Sequence, residues 1–554
     1  MLAAACGASQ ELDGASPPYG TSDAGASGSG SAGCLSSNEC PTGYLCNDFG
    51  VCVAPPTPTT DAGVPPPPEV EYEFGAPISS ERFVYVAMTA QDELARIDGR
   101  SLEVVSTGVG KEPREVSAIP HSDGAVVLDS INGTVTVVRP RTNSSEPDRI
   151  RVLPTLQNLN RLDIDPSGRY AVIWFDLTKA LHDGVLTGIG SFQDVTVVRL
   201  AAGNERAVDL TVGFRPRAIE FDATGNRAYV ITQDGVSVID LGYATDHEAS
   251  IVPPIPMVDP AFSADTSEIH VVATGEYATV SQGDVAALRV VKVGGANLGQ
   301  AWTIPLASPP TDVDLAPDGA RVYVVQRAAA KLAIVDIPGD AITPGGIEQI
   351  DLSAGALGSL TLSANGTRAL LYTNATLDER ITLVKLDQPG YPRTTWPLKK
   401  SVRAVGLAPT GDTAIVINAK AFGDPATAAS VDEFIDRSYG YSLLDLATGF
   451  AKLQITPVDP GPFVYSPDGS KAYVALDGGD GVVATRALQI VTTQTGVVTT
   501  KNLGSPPSAV GILPGAGQAF VAQRHPLGRV SFVELVADTV RTVTGFDLNG
   551  NVVN

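Results

Sequence analysis

A four-residue turn ending in glycine returns through most of this 554-residue chain: DPSG (165–168), DATG (222–225), APDG (316–319), SANG (363–366), APTG (408–411) and SPDG (466–469). Asp, Asn and Ser start such turns by bonding to nearby backbone, and Gly supplies the positive φ that closes them. Each turn joins two short apolar strands, as in RAIEFDATGNRAYVITQDGVSVIDL (217–241), TDVDLAPDGARVYVVQRAAAKLAIVDI (311–337) and GPFVYSPDGSKAYVALDGG (461–479). A third strand follows, often ending in Asp, and a fourth closes the unit, as in RAVDLTV (206–212) and QAWTIPLA (300–307). Four antiparallel strands in roughly 45 residues is the period of a propeller blade. A lone blade leaves two apolar faces bare, so it must stack on neighbours in a closed ring. Long stretches with apolar residues at helical spacing are absent.

The repeat predicts an all-β chain, a β-propeller over 70–554. Units start near 83, 113, 158, 215, 258, 309, 356, 401, 459 and 506. Ten exceeds the usual four to eight blades. Two propellers or fewer blades are the alternatives, but a split of seven and three fails because three blades cannot close. One large ring is expected. The first unit lacks its innermost strand, which VEYEF (70–74) is expected to supply.

FVYVAMTAQDELARIDGRSLEVVSTGVGKEPREV (83–116) resembles the YVTN-type β-propeller repeat of bacterial surface and periplasmic proteins. Tyr85-Val86, Ile97-Asp98 and Gly110-x-x-Pro113 stand where that family has its Tyr-Val strand, Val-Ile-Asp strand and Gly-x-x-Pro lead-in. The resemblance covers nearly all of 81–554 with decay. The usual Asn after Tyr-Val is missing from most units, and so is the Trp-Asp of WD40 blades. It implies a fold and says little of function, since propellers host unrelated activities.

Ahead of the repeats the composition changes. Residues 7–33 are rich in Gly, Ser and Ala, a flexible linker, and residues 53–69 form a stiffer proline-rich spacer. Between them, Cys34, Cys40, Cys46 and Cys52 are spaced C-x5-C-x5-C-x5-C. A segment this poor in apolar residues needs cross-links for order, so 34–52 is read as a disulfide module with its pairing open. A zinc site, the rival, usually spaces its pairs two to four residues apart. Disulfides imply export. Residues 1–6, Leu2-Ala3-Ala4-Ala5-Cys6 in particular, resemble the lipobox end of a bacterial signal peptide, in which Cys6 would receive lipid. Gly7 after it leans, by that analogy, towards the outer membrane. An exported chain, anchored at the outer membrane or held at the cell surface or in the periplasm of a bacterium, is expected.

The net charge of −23 argues against nucleic acid and anionic membrane surfaces as partners. No apolar run approaches the roughly 18 residues of a membrane-spanning helix. Five histidines occur, His121, His182, His247, His270 and His525, without a close pair. No haem-attachment, zincin, Walker or nucleophile-elbow motif is present, so no cofactor, metal or catalytic residue is assigned. Asp259 and Asp312 are the best carboxylates for a metal bound in the ring's channel, as in lactonase-type propellers. Arg114, Arg217 and Arg403 precede or begin inner strands and are candidates to hold a carboxylate or phosphate at the channel mouth. The loops from second to third strand carry two insertions, 176–193 and 419–440. Phe422, Phe434 and Tyr439 in the longer one suit a binding rim. The expected function is non-enzymatic binding or scaffolding of an envelope protein or glycan. A propeller hydrolase or lactonase with a channel metal is the alternative.

Overall fold

The computed structural model describes residues 78–546 apart from 90, 112, 114, 130, 142–147, 183–191, 248–250, 344–345, 353–356, 478–485 and 526, with the backbone of Leu45–Cys46 and Cys52–Val53. Between 78 and 546 the chain forms ten antiparallel sheets, each with its strands in sequence order. Eight are four-stranded and two, the first and the fourth, three-stranded. It is a ten-bladed propeller. Inner strands of the second to tenth blades are Glu115–Ala118, Arg161–Ile164, Pro216–Phe221, Glu268–Val271, Asp312–Leu315, Ser359–Leu362, Val402–Leu407, Pro460–Tyr465 and Pro507–Leu513.

The repeated turn does two jobs. At Gly225 the backbone is left-handed, with φ +64°, and a side chain there would collide with the Asp165 carboxylate of the preceding blade. Gly168, at φ +71°, lies in the same way against Pro120 of the second blade. Glycine is therefore required both by the turn and by the close approach of the next turn in the ring. Asp165 fixes its turn by accepting from the backbone N–H groups of Ser167 (2.8 Å) and Arg169 (2.7 Å).

Tyrosines on second strands fasten blade to blade. Tyr229 donates its hydroxyl to Gly275 O at 2.7 Å, in the turn of the next blade, and Tyr85 donates likewise to Asp123 O. Burial raises the pKa of both phenols, which keeps them protonated donors. Between the sheets the apolar side chains gather into ten clusters, one at each seam. The tenth seam closes the ring: Val84, Ala95 and Ile97 of the first blade pack with Leu513, Phe520 and Phe532 of the last. Gly515 N donates to Glu81 O at 2.8 Å, and Arg100 Nε to Gly515 O at 3.0 Å. The last blade takes all four strands from 507–544, so face-to-face packing closes the ring.

Two details differ from the sequence reading. The fifth blade begins at Glu268, later than the expected 258, because the preceding segment serves the fourth blade. There the helix Leu241–His247 follows the third strand, and Ile255 exchanges backbone hydrogen bonds with Val236 (2.8 and 3.0 Å). Pro253, Pro254 and Pro256 have no N–H for a ladder, so this stretch leaves an isolated bridge where a fourth strand would run. In the first blade, Ile78 O accepts from Tyr85 N at 3.2 Å and Ser79 bridges to Val84, which places 78–80 at the inner position. VEYEF lies outside the described residues.

A separate unit spans Gly7–Pro67. Its described part is an antiparallel backbone pair, Leu45–Cys46 with Cys52–Val53, in which Cys46 stands opposite Cys52. Cys6, Cys34, Cys40 and the rest of both linkers lie outside the described residues. Among the described residues no helix is long and apolar enough to cross a membrane.

Candidate functional site

Each blade opens its loop from second to third strand on the same face as the chain's crossing to the next blade. The two insertions fall in the third and eighth blades, five places apart in a ring of ten, and so stand on opposite sides of that face. In the third, Asp176 accepts from Thr178 N (2.8 Å) and Lys179 N (3.1 Å) and starts the helix Leu177–His182. Residues 183–191 lie outside the described set.

The eighth-blade insertion is folded. Asp424 caps the 3-10 turn Pro425–Thr427 by accepting from Ala426 N at 2.8 Å. Ser430 caps the helix Val431–Arg437 by accepting from Glu433 N at 3.1 Å, and Glu433 returns to accept from Ala429 N. At the helix's other end, Lys400, 1% exposed, donates to Ile435 O (2.6 Å) and Asp436 O (2.9 Å). Burial lowers the pKa of that ammonium. Those carbonyls carry the negative end of the helix, so the buried cation finds its partner there. Held in this way, the insertion turns apolar side chains outward: Phe422 is 83% exposed, Val431 75% and Phe434 44%. Tyr439 is different. It is half-buried at the start of the third strand, with Lys420 Nζ 5.2 Å from its ring centroid.

The arginines do not share one environment. Arg114 lies outside the described residues. Arg403 forms a two-pronged ion pair with Asp459 at the start of the ninth blade, Nη1 to Oδ2 and Nη2 to Oδ1 at 2.8 Å each. Among the described residues Arg217 hydrogen-bonds to two backbone carbonyls, Asp265 O and Ser267 O, both at 3.4 Å, with the Asp265 charge nearby. Burial lowers its pKa.

Of the two carboxylates singled out, Asp312 accepts from Leu360 N, on the inner strand of the seventh blade, at 2.6 Å. Asp259 does not lie on an inner strand. It pairs with Arg289 (2.5 Å) on the third strand of the fifth blade. Sequence reasoning passed over the middle of the inner strands. Glu220 of the fourth blade accepts from Val271 N of the fifth and stands 3.1 Å from His270 Nδ1. Burial opposes the charge on His270, yet the Glu220 hydrogen bond and the nearby Glu268 and Asp314 outweigh it and raise its pKa. Solvent still reaches 42% of this side chain. Asp163 of the third blade accepts from Trp174 Nε1 at 2.6 Å, and burial pushes its carboxyl up to about 6. Asp163, His270 and Asp314 hold the third place of their inner strands, a signal visible once RLDI, EIHV and DVDL are aligned. Among the described residues no group of three or more His, Cys, Asp or Glu is placed to hold a metal ion.

Residues 194–346 match a family model described as lactonase, 7-bladed beta-propeller. The matched stretch runs from the third strand of the third blade to just short of the fourth strand of the sixth, in a ring of ten. No curated protein matches the sequence. Among solved structures, this chain is similar to a eukaryotic initiation factor at 11% identity and TM-score 0.48, over 77% of this chain and 96% of that one. It is similar to the dihydro-heme d1 dehydrogenase NirN at 14% identity and TM-score 0.41, over 78% and 75%. A third similarity is to the hydrazine synthase of Kuenenia stuttgartiensis at 18% identity and TM-score 0.31, over 48% and 76%.

Proposed function

We propose that this chain is an exported, lipid-tethered protein of a bacterial cell envelope whose propeller binds a protein or glycan partner without catalysing a reaction on it. The observation that carries the reading is the eighth-blade insertion. A loop tolerated only because longer loops cost little to close needs no capped helix and no buried lysine. This one has both, and they hold Phe422, Val431 and Phe434 in water. Exposed apolar side chains on a rigid scaffold are the composition of an interface core. The tether rests on the sequence around Cys6 and on the linkers that follow.

Changing Phe422 and Phe434 together to Asp in the full chain should leave Tm nearly unchanged, since neither side chain is buried. It should abolish the cross-link between the chain and its partner in envelope fractions. An undiminished cross-link would remove the insertion from the interface. In the chain expressed behind a lipoprotein signal peptide, Cys6→Ser should move it from the membrane to the soluble fraction, and equal partition of both forms would end the lipid tether.

A hydrolase of the lactonase kind is the second reading. The family match favours it, because 194–346 contains Glu220, His270, Asp312 and Asp314 of the inner wall. Stoichiometric metal in the purified chain, with lactone hydrolysis lost in Glu220→Gln, would decide for it.

A further inference from the structure

Arg217 and Arg403 are the same residue of two blades, and only one has a carboxylate. Both are second in an inner strand that begins with a register shift, between Pro216 and Ala218 and between Val402 and Ala404. Such a bulge re-aims the side chain it carries, and both guanidinium groups extend to the start of the next blade. Arg403 Nη2 donates to Pro460 O at 3.1 Å, and Asp459, one residue earlier, completes a fork-to-fork pair. Arg217 Nη2 reaches the corresponding Ser267 O at 3.4 Å, but the residue before it is Thr266, which brings no charge. Arg217 has no ion pair among the described residues, only the two carbonyl contacts of its Nη atoms. Half-buried charges are ordinarily paired, because burial without a counter-charge is costly. Besides burial, two charges act on Arg217 from further off: Asp265 raises its pKa, and Arg215, held at φ 54° with its N–H donating to Phe192 O at 2.7 Å, lowers it by less. Phe214, next to Arg215 in the chain, is exposed and continues a row of rings towards the third blade, 6.1 Å from Phe192, which lies 5.7 Å from Phe175. The nearby Asp234 accepts from Phe214 N at 2.9 Å.

We propose that Arg217 is a binding site for a carboxylate that a ligand supplies, seated where Asp459 sits against Arg403. A carboxylate fits both prongs of a guanidinium at once. The chain's charge of −23 repels anions elsewhere, so binding here requires a local site. The proposal does not depend on the eighth-blade surface.

Thermal shift and calorimetry on the full chain at low salt test it, with acetate, phenylacetate, inorganic phosphate and a chloride control. Both carboxylates should raise Tm above the chloride control. Arg217→Gln should weaken their binding about tenfold or more. Thr266→Asp, which writes in the missing carboxylate at an exposed position, should abolish the shift while raising Tm by itself. Asp459→Ala should lower Tm and recover part of it in acetate. The site is overturned if carboxylates do no more than chloride, or if Arg217→Gln or Thr266→Asp leaves their effect intact. Failure of acetate to rescue Asp459→Ala overturns the equivalence of the two arginines, and tighter binding of phosphate overturns the ligand class.

Discussion

The inner wall of the ring has two halves built on different physics. From the second blade to the sixth, every inner strand carries an ionisable side chain: Glu115, Arg161 and Asp163, Arg217 and Glu220, Glu268 and His270, Asp312 and Asp314. From the seventh to the tenth the strands read SLTL, VRAVGL, PGPFVY and PSAVGIL, with Arg403 as the single charge. An innermost strand is a sheet edge whose free N–H and C=O groups need partners. The charged half supplies them from neighbouring blades: Glu220 accepts from Val271 N, and at the border with the apolar half Asp312 accepts from Leu360 N of the seventh blade. The apolar half instead packs strand on strand. The ring of Phe463 lies against Gly406, and Tyr465 donates to Gly406 O at 3.4 Å. Either device finishes the edge, but the first does it with carboxylates and the second with aromatic rings.

If that contrast is right, the two halves break differently. In the apolar half, Gly406→Val drives a side chain into the Phe463 ring, which lies closest to that position. Denaturant unfolding should show a loss of about 3 kcal/mol, the upper range for overpacking a close-packed site. The same change at Gly283, where nothing lies within 4 Å, should cost far less, and equal losses would show that the seam is not tight. In the charged half the smaller effect is electrostatic. Glu220→Ala leaves Val271 N without its acceptor and His270 without its partner, a loss of about 2 kcal/mol. Thr361→Ala, on the inner strand of the seventh blade, should lose under about 0.5 kcal/mol. A Glu220 variant as stable as the Thr361 variant would mean that water satisfies this edge.

The blades were legible in the sequence because each declares itself locally. The turn tetrads, the Tyr-Val strands and the roughly 45-residue spacing all lie within one unit, and each has a seam or a turn that requires it. The fourth blade's missing strand was less legible, since three prolines in IVPPIPMV had to outweigh a pattern that eight other blades keep. The inner wall was harder. Glu220 and His270 lie 50 positions apart and meet only because consecutive blades stack in register. Asp259 had the right chemistry near an expected strand start, but the strand begins at Glu268 and Arg289 takes the carboxylate. The insertions were visible as length, yet nothing in AKAFGDPATAASVDEFIDRSYG says that Lys400, some twenty residues earlier, would be buried to hold it.

The smallest effect is pH dependence, and it belongs to the charged half alone. The Asp163 carboxyl is pushed up to about 6 from its ordinary 3.8, and the pKa of His270 is raised above its ordinary 6.5. A group whose pKa rises on folding holds its proton more tightly in the folded chain. Its contribution is complete below the ordinary pKa and is lost as pH climbs through the folded value. Both groups therefore favour the fold on acidification. The His270 share is gained as pH falls from above 6.5 to 6.5, and the Asp163 share from about 6 to about 4. Carboxylates of the opposite kind, such as Asp98 and Asp468, whose pKa values are lowered, lose their contribution only as pH falls below the ordinary 3.8. Relief of the −23 net charge also stabilises the chain on acidification, so the wild-type profile alone does not isolate the wall. The variants do. Asp163→Asn keeps an acceptor for Trp174 Nε1 and resembles the protonated acid, so it should raise Tm at pH 8 by about 1 °C and flatten the profile between pH 6 and 4. His270→Gln should flatten the higher window. Thr361→Ala should leave the shape of the profile untouched. Asp163→Asn and His270→Gln profiles parallel to the wild type would show that protonation of the charged wall is not coupled to folding, and the contrast between the two halves would then be one of packing only.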